Sequence, residues 1–393
     1  MSNFYLRAFA LVSLVSLLGG LTPMLHPAPT QGQNLALVKV YEYKEPRRWK
    51  GRMHAVLDTQ NRFLYIVEWE MGVVKQIDWR SGKQTREVDF SELPCDRGYF
   101  AEMWKKIKDA ERIGSWWPIP GTPYASMGYC GSQYIVDTRT LRIVRDLSDF
   151  RQEGGWTSFD FLPKSGFVLV RRGLPQENVV PSELYRFDTW ELVRKWDYSK
   201  NSRLLLSQDE KYAFYLNEHK GPDGKPGGCE VSVEELTTGH PIEKWQLQEG
   251  PPDCPLALRF WGSSSDIVVD WTTSAHVVVS LRNIRTGKVL RTIRLEGAFP
   301  KSTDISPDGK YVVAGAWNDP QDSPVSQDFK IWDLGTGEVV YETTKYRSVW
   351  GSRTHGREVH PSFSYDGKYL ILVKERSVEL LQINSSASST AAK

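Results

Sequence analysis

At 393 residues the chain is long enough for two ordinary domains, yet closed β architectures of this size also occur as single units, so length alone does not divide it. A composition of 40% hydrophobic and 25% charged residues is globular, and 15 Trp, 17 Tyr and 15 Phe favour strands over long helices. Fifty basic against 48 acidic residues leave a formal charge of +2, which gives no field to hold a polyanion and sets nucleic acid aside as a partner.

The first thirty residues carry one charge, Arg7, followed by an apolar run from Ala8 to Leu21 and a Pro- and Gln-containing stretch to Gln33. That order predicts a secretory signal over residues 1–33 and a secreted or periplasmic protein with no membrane span in its mature form. A retained membrane anchor is the competing reading. It is disfavoured because the run contains Ser13, Ser16, Gly19 and Gly20 and falls short of the ~20 residues a span needs. Next comes ALVKVYEYK from Ala36, an alternating strand pattern that belongs to no repeat.

From there one phrase recurs to the end of the chain. Its copies are AVLDTQNRFLYIVEWE with VVKQIDWRSGKQTREV, a degenerate unit with YASMGYC and SQYIVDT, and FDFLPKSGFVLVRR with ELYRFDTWELVRKW. Then follow LLLSQDEKYAFYLN with EVSVEELTTGHPIEKW, LRFWGSSSDIVVDW with VVVSLRNIRTGKVLRTI, and DISPDGKYVVAGAWN with FKIWDLGTGEVVYET. The last, HPSFSYDGKYLILVKE with SVELLQIN, stops after a third strand. Each copy reads as four short strands, with Asp-Gly or its equivalent between the first two and Thr-Gly between the last two. Asp78, Asp137, Asp188, Glu235, Asn283 and Asp333 precede the second turn at intervals of 59, 51, 47, 48 and 50 residues. Such a column is either a ring of ligands or a set of side chains capping their own turns, and turn chemistry favours the second.

Four strands per repeat of roughly fifty residues predict blades arranged around an axis. The expectation is an all-β, seven-bladed β-propeller of four-stranded antiparallel blades over residues 34–384, its ring closed by the N-terminal strand pairing with the C-terminal blade. Six blades plus a separate strand is the alternative count. Residues 385–393 read as a disordered tail.

Through SPDGKYV at Ser306, IWDLGTGEV at Ile331 and SYDGKYL at Ser364, the chain from about residue 36 to 384 resembles the WD-repeat and YVTN-type propellers. Only Trp332 and Asp333 form the Trp-Asp pair, and no copy opens with Gly-His, so the resemblance is to the looser bacterial relatives. Such folds host many unrelated activities.

In a propeller the connections between first and second and between third and fourth strands share one face, and here all are tight. The long insertions fall on the other face, at 172–182, 218–228 and 318–328 and at 91–115, 248–255 and 344–358. Phe100, Met103, Trp104, Ile107 and Ala110 fall at helical spacing in one of them. Loops on a rigid scaffold carry function, and aromatic and Arg side chains anchor interfaces. The rim expected to bind is therefore Trp104, Trp117, Arg171, Arg172, Trp271, Trp317, Trp350 and His355, with Trp69 and Trp116 nearby.

Four Cys in an exported chain predict two disulfides, Cys95–Cys130 and Cys229–Cys254, each tying down a long loop. His355 and His360 with Glu358 form the one His cluster, and flexible spacing there predicts no metal geometry. No G-x-S-x-G, P-loop or dinucleotide fingerprint occurs. No cofactor and no catalytic residue are expected. The functional expectation is a monomeric, non-catalytic platform for a protein or a cell-envelope polymer. The alternative, drawn from the YVTN-like resemblance, is an exported lyase, lactonase or quinone-type dehydrogenase with its site at the channel mouth.

Overall fold

Short turns every few residues leave strands of four to ten residues that pair readily with their sequence neighbours, and the consequence is a set of antiparallel meanders. The computed structural model describes residues 35–45, 53–69, 71–93, 113–129, 132–150, 156–173, 177–199, 202–220, 226–247, 257–261, 267–273, 277–295, 298–316, 329–342, 360–374 and 377–385. These form seven four-stranded sheets, so the chain is a seven-bladed β-propeller.

In chain order, β1 (Leu35–Lys44) precedes the first blade, which is β2 (Met53–Leu57), β3 (Phe63–Glu68), β4 (Val73–Asp78) and β5 (Lys83–Asp89). The second is β6 (Ile113–Pro118), β7 (Tyr124–Tyr129), β8 (Ser132–Asp137) and β9 (Arg142–Asp146), and a 3₁₀ turn at Ser148–Phe150 leads out of it. The third is β10 (Trp156–Leu162), β11 (Phe167–Gly173), β12 (Val179–Arg186) and β13 (Leu192–Ser199). The fourth is β14 (Ser202–Leu206), β15 (Tyr212–Lys220), β16 (Pro226–Glu235) and β17 (Pro241–Gln246). The fifth is β18 (Ala257–Phe260), β19 (Ile267–Thr273), β20 (Val277–Asn283) and β21 (Val289–Leu295). The sixth is β22 (Ala298–Ile305), β23 (Tyr311–Ala316), β24 (Phe329–Asp333) and β25 (Val339–Glu342). The seventh is β26 (His360–Phe363), β27 (Tyr369–Val373) and β28 (Ser377–Ser385), completed by β1 in the order β1-β28-β27-β26.

The core is a ring of seven apolar clusters, one at each junction between blades. Strand periodicity explains it, because successive side chains point to opposite faces. In β3, Leu64 and Ile66 face the seventh blade while Tyr65 and Val67 face the second. In β27, Ile371 and Val373 meet the first blade while Leu370 and Leu372 meet the sixth. Both faces of a middle strand are therefore apolar, whereas the outermost strands β5, β9 and β17 are mostly exposed. Trp116, on the degenerate second blade, is fully buried beside Tyr65 at 5.5 Å between ring centroids.

The recurring turn phrases are local hydrogen-bond devices. Ser306 Oγ donates to Asp308 Oδ1 (2.7 Å), Asp308 Oδ1 accepts from Lys310 N (3.1 Å), and Tyr311 N donates to Ser306 Oγ (2.9 Å). The same three bonds recur at Ser364, Asp366 and Tyr369, and at Ser207, Asp209 and Tyr212. Gly309 and Gly367 supply the left-handed backbone these turns need, at φ +70° and +71°. Glu210 takes that conformation without being glycine, at φ +60°. Its carboxylate reaches the third blade and accepts from Lys164 N (2.8 Å) and Ser165 N (2.9 Å), which offsets the strain.

The column before the second turn also turns inward on itself. Asp78, Asp137, Asp188, Asn283 and Asp333 each accept backbone N–H bonds within their own turn, at 2.8 to 3.3 Å. Glu235, with a longer side chain, accepts instead from the Thr238 hydroxyl at 2.6 Å.

Ring closure joins the two ends of the fold, with Leu35 opposite Ser385 and Lys44 opposite Ser377. A buried polar knot fixes β1 to the first blade. Lys75 Nζ donates to Glu68, to Glu45 Oε2 at 2.8 Å and to the Tyr43 hydroxyl at 3.3 Å. The Lys75, Glu68 and Glu45 side chains retain only 4, 4 and 2% of their surface. Burial alone would lower the Lys75 pKa, but the bonds to Glu45 and Glu68 raise it above its ordinary value. Burial pushes the Glu68 carboxyl up against the pull of Lys75.

Candidate functional site: the central channel

The first strand of every blade faces the axis. The result is a central cavity of 930 Å³. Val56, Trp117, Asp160, Leu204, Phe260, Asp304 and Phe363 line it, one from each blade. Thr59, Lys164, Gln208, Pro307 and Tyr365 rim it, and all five belong to the tight turns between first and second strands. The described cavity thus opens on the short-turn face.

Trp117 stands out on this wall. It is 57% exposed, while Trp79, Trp116 and Trp332 are buried between blades. Strand β6 places it there because Trp116 points into the first–second junction and Trp117, one residue on, must point away. It meets His54 edge to face at 5.4 Å between ring centroids, and His54 in turn lies 5.8 Å from Trp69. Burial, with a smaller contribution from the charge of His360, pushes the His54 pKa down to about 4, so the imidazole beneath Trp117 is neutral at physiological pH.

On the third blade Arg171 Nη2 and Asp160 Oδ2 form an ion pair of 2.5 Å on the same wall. Burial raises the Asp160 pKa, and the Arg171 charge pulls it back only in part. The pair still borders the channel, with 26% of the Arg171 and 40% of the Asp160 side-chain surface open. The other carboxylates of the lining are occupied by the scaffold. Asp304 accepts from Ile305 N and, across the blade junction, from Phe363 N, each at 2.8 Å. Asp308 and Asp366 cap their turns, Asp366 also accepts from Asn61 Nδ2 at 2.8 Å, and Glu210 clasps the third blade.

Of the rim expected from sequence, the structure brings Trp117 and Arg171 together on the channel wall. Arg172 is turned away, paired with Glu183 and lying 5.9 Å over the Phe150 ring. Trp271 lies on β19. Trp104, Trp317, Trp350 and His355 lie outside the described residues, as do the helix expected over 100–110 and Glu358. Cys229 is buried and is not a free thiol, while Cys95, Cys130 and Cys254 lie outside the described residues. Sequence reasoning missed His54, Asp160 and Tyr365. A weak signal existed for Asp160, a carboxylate alternating with Phe159 and Phe161 on an inner strand.

The site combines an exposed tryptophan, the Asp160–Arg171 ion pair, carboxylates held by the scaffold and an apolar wall, an arrangement suited to holding a ligand. No protein-family model matches the chain, and the search of curated proteins found no significant match.

Proposed function

We propose that this chain is a non-catalytic binding protein that holds its ligand at the short-turn mouth of the central channel. The observation that carries the reading is Trp117, a large apolar surface left open in a cavity to which all seven blades contribute. Leaving such a ring exposed brings no folding benefit, and concave sites with an aromatic wall and a few polar groups are where small ligands and chain ends bind. The cavity volume falls within the ~300–1,000 Å³ usual for ligand pockets.

The leader-like first 33 residues support export to the periplasm or beyond, and the turn phrases support kinship with the looser bacterial WD-repeat and YVTN-type propellers. In that setting the disulfides Cys95–Cys130 and Cys229–Cys254 follow.

The test is affinity capture from the native host's envelope extract with the mature chain, a Trp117→Ala variant, and a Trp271→Ala variant at the long-loop end of β19. Material retained by the parent and lost with Trp117→Ala supports the channel. Equal retention by parent and Trp117→Ala, or loss only in the loop-face variant, overturns it. Because Trp117 is exposed, its removal should leave stability within about 0.5 kcal/mol of the parent.

A further inference from the structure

We propose that the ligand of the channel is a neutral sugar ring, stacked on Trp117 with its hydroxyl edge against the Asp160–Arg171 pair; this rests on the binding reading above. Three features of the wall converge on that chemistry. The face of an indole is the negative pole of its quadrupole, and it attracts weakly positive C–H groups presented in a plane. A pyranose presents such a plane of axial C–H groups and, around its rim, hydroxyls that are both donors and acceptors.

The polar partners fit the rim. Asp160 is an acceptor and Arg171 a fork of donors, side by side at 2.5 Å, on the blade next to the one that carries Trp117. Adjacent hydroxyls satisfy such a pair without disturbing its charge balance, and bonds to charged groups are the stronger kind. His54, which supports Trp117, adds no charge near neutral pH because of its burial.

Charged ligands fit less well. A quaternary ammonium group placed on Trp117 has neither a donor nor an acceptor to offer the Asp160–Arg171 pair. An anion would meet Asp160 and the carboxylates of Asp304, Asp308, Asp366 and Glu210, which also border the cavity. Those carboxylates already hold backbone or turn groups and are not free to reorganise around a cation. Tyr365, 48% exposed on the rim, offers a second ring toward the mouth for a neighbouring sugar unit.

The experiment is calorimetric titration of the full mature chain, with intrinsic tryptophan fluorescence read in parallel. The probes are cellohexaose, chitohexaose and maltohexaose, with choline and inorganic phosphate as charged probes. The expected result is binding of at least one oligosaccharide with a change in tryptophan emission. Trp117→Ala should weaken it on the order of tenfold, and Trp117→Phe, which keeps an aromatic face, should weaken it less. Both variants should show the parent's unfolding midpoint, so that loss of fold is not mistaken for loss of stacking.

Binding of none of the three oligosaccharides at millimolar concentration overturns the sugar assignment. So does Trp117-dependent binding of choline or phosphate alone, or oligosaccharide binding that Trp117→Ala leaves intact. If the oligosaccharides fail while Trp117-dependent capture from extract persists, the channel remains a binding site for something else. If both fail, the channel reading falls as well.

Discussion

Lys75→Met should be among the most damaging single substitutions in the described fold. The ammonium lies between two carboxylates that retain 4 and 2% of their surface, and its loss removes the cation that the two share. Breaking a buried pair in this way costs about 3–5 kcal/mol, because the desolvation of the remaining charge is no longer offset. Replacing the whole knot with apolar residues, Lys75→Met with Glu45→Leu and Glu68→Met, should bring stability back to within about 1 kcal/mol of the parent or above it.

The pH dependence has a definite sign. Glu68 is already raised by burial, and without Lys75 two carboxylates share one dry site, so one of them holds its proton to higher pH still. A raised carboxyl contributes stability that is complete below its unfolded pKa, about 4.3, and is lost as pH rises through the folded value. The deficit of Lys75→Met should therefore narrow between about pH 7.5 and about pH 5. Urea midpoints followed by tryptophan fluorescence at both pH values provide the measurement. A cost below about 1 kcal/mol, or a deficit that widens on acidification, would refute the assignment of a charged buried knot.

Glu210 separates strain from contact: Glu210→Ala loses the clasp on Lys164 and Ser165 and keeps the positive φ, whereas Glu210→Gly loses the clasp and relieves the strain. The Ala variant should be the less stable by about 1 kcal/mol, and equal denaturation midpoints would remove the strain. His54, with its pKa depressed to about 4, contributes stability that is present above its unfolded pKa and lost as pH falls through the folded value. The parent should lose up to about 3 kcal/mol of stability more than His54→Gln between about pH 6.5 and about pH 4, and parallel curves would contradict this. Deleting residues 1–45 strips β1 from the edge of β28 and should give aggregates or edge-paired dimers by light scattering. A synthetic peptide of residues 35–45 added in trans should restore the monomer, and a monodisperse deletion variant would show that closure is dispensable.

The fold was readable from sequence because each blade carries its own turn chemistry within a few residues. Ser306 with Asp308, and Asp333 with Thr336, make bonds that span no more than five positions, so the residue types themselves mark the turns. Closure was readable because ALVKVYEYK had strand alternation and no blade, while the last blade lacked a strand. The channel was not readable in this way. Its lining comes from one short segment in each of seven blades, and no local pattern tells a residue facing the axis from one facing solvent. Trp117 and Arg171 were picked out by residue type, and their shared wall required the ring. Arg172 was picked out by the same rule, but the buried Glu183 beside it on β12 takes up its charge. Glu210 and Asn61 hold left-handed backbone through contacts with other blades, Asn61 at φ +53° with its amide on Asp366, and such compensation is invisible in a single turn.

The pairing of Leu35 with Ser385 also sets an order of events. Blades one to six are each built from contiguous chain and can form as they emerge, but the seventh needs both extremities of the chain at once. Strand β1 must wait for β28, its partner among the described strands. Contacts so distant in sequence carry the largest loop-closure entropy and form late. The final joining of the ends is thus the step at which the protein commits to its structure, and before it an exposed sheet edge is open to whatever strand comes near.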